Sequence, residues 1–95
     1  MALAGLYYGD LRTHEMTVST TATRIRAASA GAYNRVGLIM RNVGGGADIY
    51  VGPVGVTTAA GYPIPDGEEL YIAGTLEMYA IVASGTIALR VIELL

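Results

Sequence analysis

The chain has 95 residues, 6 basic and 8 acidic side chains, a net charge of −2 and one histidine, which bounds it to a single domain with little room for an enclosed active site. All six basic residues are arginine and there is no cysteine, so a polybasic patch for nucleic acid or anionic lipid, a disulfide and a thiolate metal site are excluded. Charged residues make up 15% against a usual ~25%, which predicts an outside partly covered by other subunits; the alternative is a monomer whose alanines and glycines raise the apolar count without making a sticky patch.

Residues 1–12 show no clean period, carry no basic leader, and hold Leu3, Leu6, Tyr7, Tyr8 and Leu11. That is too apolar for a solvated tail, and an N-terminal arm lying on a partner is expected, with an ordinary first strand or a frayed end as the alternative. Residues 13–95 then form one β domain. No run of eighteen apolar residues occurs, so the sequence predicts a protein made in a cytoplasm with no membrane span. Residues 16–26 are rich in β-branched side chains and read as one or two strands, followed by a small-residue connector over 27–33 with space for no more than a short helix.

From Arg35 the period is two. Val36, Leu38 and Met40 share a face, with Ile39 out of phase. After Gly44-Gly45-Gly46, Ala47, Ile49 and Val51 alternate with Asp48 and Tyr50, so a hairpin is predicted there. Residues 52–67 carry all three prolines and four glycines, which predicts loop with short edge strands, and Pro65-Asp66-Gly67 turns the chain into a strand over 68–73. Met78, Ala80 and Val82 alternate with Tyr79 and Ile81, and Ser84-Gly85 predicts a second hairpin into the last strand. On that strand Ile87, Leu89 and Val91 face one way and Ala88, Ile92 and Leu94 the other, interrupted by Arg90. Two apolar faces predict burial from both sides, either between sheets or against a neighbouring subunit. The pattern gives an all-β chain: a small β-sandwich or jelly-roll-like barrel of about seven to eight short antiparallel strands with an extended N-terminal arm.

Chemistry is sparse. His14 lacks co-ligands, since its neighbour Glu15 points to the opposite face of a strand. The glycine run is not followed by the Lys-Ser/Thr of a phosphate cradle. Asp66, Glu68 and Glu69 lack the alternating oxygen ligands of a calcium loop and read as solvated turn charges. No catalytic residue, metal or cofactor is therefore expected. Seven tyrosines occur with no Trp or Phe, a type that suits interfaces and sugar platforms. Tyr50 and Tyr79 fall opposite the apolar face of their strands, as an outer patch or as ordinary cross-strand pairs. Arg24, Arg26, Arg35, Arg41 and Arg90 suit ion pairs, either across a subunit boundary or on the protein's own surface.

The order Arg41-Asn42-Val43-Gly44, Ile49-Tyr50-Val51-Gly52, Val56-Thr57, then residues 61–67, 78–86 and 89–93 resembles small structural proteins of tailed-phage virions, across residues 35–95. The resemblance implies a β-sandwich or jelly-roll-like subunit that binds the outside of the capsid as a cement or decoration protein. Its implied partners are the major capsid protein and copies of itself, as a homotrimer, with no nucleic acid and no membrane. It would be made in the host cytoplasm and reside on the virion. Similar modules occur in head fibres and tails. The residues expected at interfaces are Leu3, Leu6, Tyr7, Tyr8, Leu11, Tyr50, Tyr79, Arg90, Ile92 and Leu94. The competing class is a carbohydrate- or receptor-binding module, with the outward tyrosines stacking on sugar rings; the lack of Trp and the presence of just two Asn and no Gln weigh against it.

Overall fold

The computed structural model describes residues 11–25, 36–74 and 77–94. Eight strands run through them: β1 (Leu11–Val18), β2 (Thr23–Arg24), β3 (Gly37–Asn42), β4 (Ile49–Gly52), β5 (Tyr62–Ile64), β6 (Glu69–Ala73), β7 (Tyr79–Ile81) and β8 (Ile87–Leu94). No helix occurs among the described residues. The strands form two four-stranded antiparallel sheets, a front sheet in the order β1-β8-β3-β6 and a back sheet in the order β2-β7-β4-β5. The protein is a small all-β sandwich.

The connectivity follows one rule. β4 pairs with β5, β3 with β6, β2 with β7 and β1 with β8, each pair enclosing the one before it. Successive pairs fall in alternate sheets, and the β3–β8 and β4–β7 contacts close each sheet. This is the jelly roll, an antiparallel ribbon of four strand pairs wrapped so that two sheets face each other.

Alternation explains which side chains make the core. Met16 and Val18 of β1, Leu38 and Met40 of β3, Ile49 and Val51 of β4, and Ile87, Leu89 and Val91 of β8 point inward and are buried, with Ile25, Ile64, Ala80 and Val82 completing the cluster. Each fully buried Val, Leu or Ile contributes about 1.5–3 kcal/mol relative to leaving it exposed. Two polar side chains share this inner face with no exposed surface, Asn42 and Glu93. Glu93 lies between Arg12 on β1 and Leu38 on β3 in the strand register.

Three expectations need correction. The glycine run at 44–46 does not close a hairpin, because β3 lies in the front sheet and β4 in the back one. Ser84-Gly85 likewise joins β7 of the back sheet to β8 of the front sheet. In both cases the glycines supply left-handed backbone, at Gly45, Gly46 and Gly85, to a chain stepping across the roughly 10 Å between sheets. Among the described residues β8 also does not lie between two sheets, the first of the two covers expected for its second face. It sits inside the front sheet with one face in the core, while Ala88, Ile92 and Leu94 on the other are only half-buried. Other expectations hold: β5 is an edge strand, as its Pro63 requires, and Pro65-Asp66-Gly67 leads into β6. β1 opens at Leu11, so Leu11 and Arg12 are strand residues. The remainder of the expected arm and the 27–33 connector lie outside the described residues.

Candidate functional site

The outer face of the front sheet is built in rows, because antiparallel register brings one residue from each strand to the same level. The first row is Leu11, Leu94, Gly37 and Ala73; the second is Thr13, Ile92, Ile39 and Tyr71; the third is Glu15, Arg90, Arg41 and Glu69. Two rows that are mostly apolar are thus bordered by one of four charges. Leu11 is 56% and Tyr71 46% exposed, with Ile39, Ile92 and Leu94 half-buried beside them.

Gly37 has a local reason. A Cβ there would lie 3.1 Å from Leu94 Cδ1 and 3.2 Å from Tyr71 Cε1, so these two side chains close over the bare glycine and make the apolar rows continuous.

The charged row has the order minus, plus, plus, minus. Arg90 Nε donates to Glu15 Oε2 at 2.6 Å, and Arg41 Nη1 donates to Glu69 Oε1 at 3.5 Å. The two arginines stand directly opposite each other on β3 and β8, an arrangement that costs energy unless countercharges flank it. All four side chains are more than half exposed. With Thr13, Ile39 and Ile92 they line a shallow hollow of about 490 Å³.

Of the residues expected at interfaces, Leu11, Arg90, Ile92 and Leu94 come together on this face. Tyr50 and Tyr79 lie on the other side of the molecule. They occupy the outer face of the back sheet, on neighbouring strands, where Tyr50 is level with Ile81 and Pro63 and Tyr79 with Gly52 and Arg24. Both are half-buried. Leu3, Leu6, Tyr7 and Tyr8 lie outside the described residues. Sequence reasoning missed Ile39, Arg41, Tyr71 and Ala73 as members of this face. The available signal was Ile39 itself, an apolar residue at the wrong phase of its strand.

The ion pairs fall within the chain. Arg24 pairs with Glu77 in addition to the two pairs of the front sheet, and Arg26 and Arg35 lie outside the described residues. His14 is half-buried and level with Val91, while Glu15 points outward to Arg90. Among the described residues no group of three or more His, Asp or Glu is placed to hold a metal ion.

The described residues define a jelly-roll module whose front sheet carries two mostly apolar rows and one charged row on its outer face. No family profile and no curated protein matches the chain. Among solved structures it is similar to the crystal structure of protein NMB1881 from Neisseria meningitidis, with a TM-score of 0.59 and 14% identity over 99% of this chain and 93% of that one. At that identity the likeness concerns the fold alone.

Proposed function

We propose that the protein is a virion structural subunit that binds the outside of an assembled tailed-phage capsid as a cement or decoration protein, acting as a homotrimer. The observation that carries this reading is the outer face of the front sheet, where Leu11, Ile39, Tyr71, Ile92 and Leu94 form an apolar surface that no other part of the described chain covers. Apolar faces of this kind, rimmed by charge, mark protein contact surfaces. The resemblance of the sequence order to phage virion proteins supports this kind of partner, and the jelly roll is an architecture used in viral capsids. Stabilisation would then be mass action: a subunit that binds only the assembled shell favours that state by its binding free energy, repeated at each copy on the lattice.

The test is light scattering of the purified chain, followed by co-sedimentation with expanded empty shells of the major capsid protein it accompanies. A trimer that pellets with shells, and an Ile92→Asp variant that folds but stays in the supernatant, is the expected result. A monomer indifferent to shells overturns it. A saccharide-binding module is the second reading, favoured by the outward placement of Tyr50 and Tyr79 on adjacent strands. Binding on a glycan array that is lost in Tyr79→Ala would establish it instead.

A further inference from the structure

We propose that Arg41 and Arg90 together receive one carboxylate from the protein surface that docks on the front sheet, and that this surface is an extended segment with apolar residues two and four positions from the acidic one. The inference rests on the reading of this face as the docking face, and it names the chemistry of what docks.

Donors are available at the centre of the charged row. A guanidinium carries five N–H donors. Arg90 gives its Nε to Glu15, and Arg41 gives one Nη to Glu69. Among the described residues the remaining N–H groups of the two side chains meet no other acceptor. Each arginine is therefore tethered from its outer side by a glutamate, and the two stand opposite each other in register on β3 and β8. A carboxylate entering above the β3–β8 seam is offered the remaining N–H donors of two guanidinium groups, one for each of its oxygens. Glu15 and Glu69 close the row at both ends, so the site takes a single compact anion and repels a polyanion such as a nucleic acid backbone or an anionic membrane.

The apolar rows fix the rest of the ligand. Ile92 and Ile39 are level with each other two residues along the same seam, and Leu94 with Gly37 two residues further. Same-side residues of a strand recur every ~6.7 Å on both the sheet and an extended ligand. A segment lying along the seam thus sets an acid over the arginines and apolar side chains over the next two rows, in the pattern acid-x-apolar-x-apolar or its reverse.

The probes are three short synthetic peptides at millimolar concentration: one with this pattern and a single Glu, one with Gln in its place, and one with the Glu moved by one position onto the opposite face. They are titrated into the ¹⁵N-labelled full chain while the Arg Nε–Hε signals are followed. The first peptide is expected to shift the Arg41 and Arg90 signals, and to bind about tenfold or more tighter than the other two and than it binds Arg41→Gln/Arg90→Gln. Equal binding of all three peptides, or no shift at either arginine, overturns the proposal. A thermal melt of the double variant confirms that it folds. Sedimentation with shells separates the two readings. If the double variant still pellets like the wild type, the carboxylate contact is wrong and the cement reading stands. If the wild type ignores shells yet binds the Glu peptide, the carboxylate site stands and the cement reading fails.

Discussion

Asn42 holds three connections at one corner of the sandwich. Its Nδ2 donates to the carbonyls of Ala47 at 2.8 Å and Ile64 at 2.9 Å, and its Oδ1 accepts from the Gly44 N–H at 3.2 Å. Its own backbone bridges further, the N–H donating to Glu68 and the carbonyl accepting from Gly67. The end of β3 is thereby tied to the links β3–β4 and β5–β6, both of which step between the sheets. Asn42→Ala is expected to cost about 2–4 kcal/mol, from three lost bonds and carbonyls left without water, readable as a lower midpoint in urea. Asn42→Asp removes the donor and sets an oxygen against two carbonyls, so it is expected to be no better. Two glycines make a contrasting pair. A Cβ on Gly61 would lie 2.8 Å from Tyr50 Cβ and 2.9 Å from the Thr57 carbonyl, neither a flexible side-chain end, so Gly61→Ala is expected to lose about 1–3 kcal/mol. At Gly37 the obstacles are the ends of Leu94 and Tyr71, which can shift, and alanine is the better strand residue by roughly 0.5–1 kcal/mol. Gly37→Ala is expected to be near neutral in the same unfolding experiment. None of this was legible in sequence, where Asn42 appears as one polar residue before a glycine run and its burial depends on the β5–β6 link, distant along the chain, closing over the link that follows it.

At the scale of the strand, period-two alternation identified the inward apolar residues of β3, β4, β7 and β8, because a strand against a core must place every second side chain inside; it also put Val36 and Ala47 on those faces, where both lie exposed just outside their strands. It did not say which sheet a strand joins. The link over 82–86 has a length that also closes hairpins and the link over 43–48 is one residue longer, and glycine with positive φ serves both uses. The discriminating information is the nested pairing, which is not local. β8 shows both what alternation gives and what it leaves open: its two apolar faces were visible, and the sandwich covers just one of them. Its position between β1 and β3 also sets its dynamics. Amides of β8, as of its inner neighbour β3, are expected to exchange more slowly with deuterated water than those of the edge strands β1 and β6, since its backbone is paired on both sides. Fast exchange throughout β8 would contradict this strand order.

For the whole molecule, the two apolar rows of the front sheet are the surface on which the proposed association is tested. Ile92→Asp is expected to change stability by less than about 1.5 kcal/mol, because the side chain is half outside the core, while abolishing association through that face; a large drop in melting temperature would instead make Ile92 a core residue. The part of the face legible in sequence was Leu11 on β1 and the part on β8, where apolar and charged residues share one strand. Arg41, Tyr71 and Ala73 joined it through register with strands far along the chain, which periodicity does not encode. The nested pairing bears on how such a chain reaches its structure. Leu11 meets Leu94 across the outermost pair, a loop whose closure from the open chain carries a large entropic cost. β4 and β5, separated by residues 53–61 alone, are the cheapest pair to close. Once they are together, β3 and β6 are neighbours, then β2 and β7, then β1 and β8, so each closure is short when made in that order. The fold is expected to assemble from the middle of the chain toward its ends, so that substitutions in the 49–64 hairpin slow refolding, whereas those in β1 mainly speed unfolding.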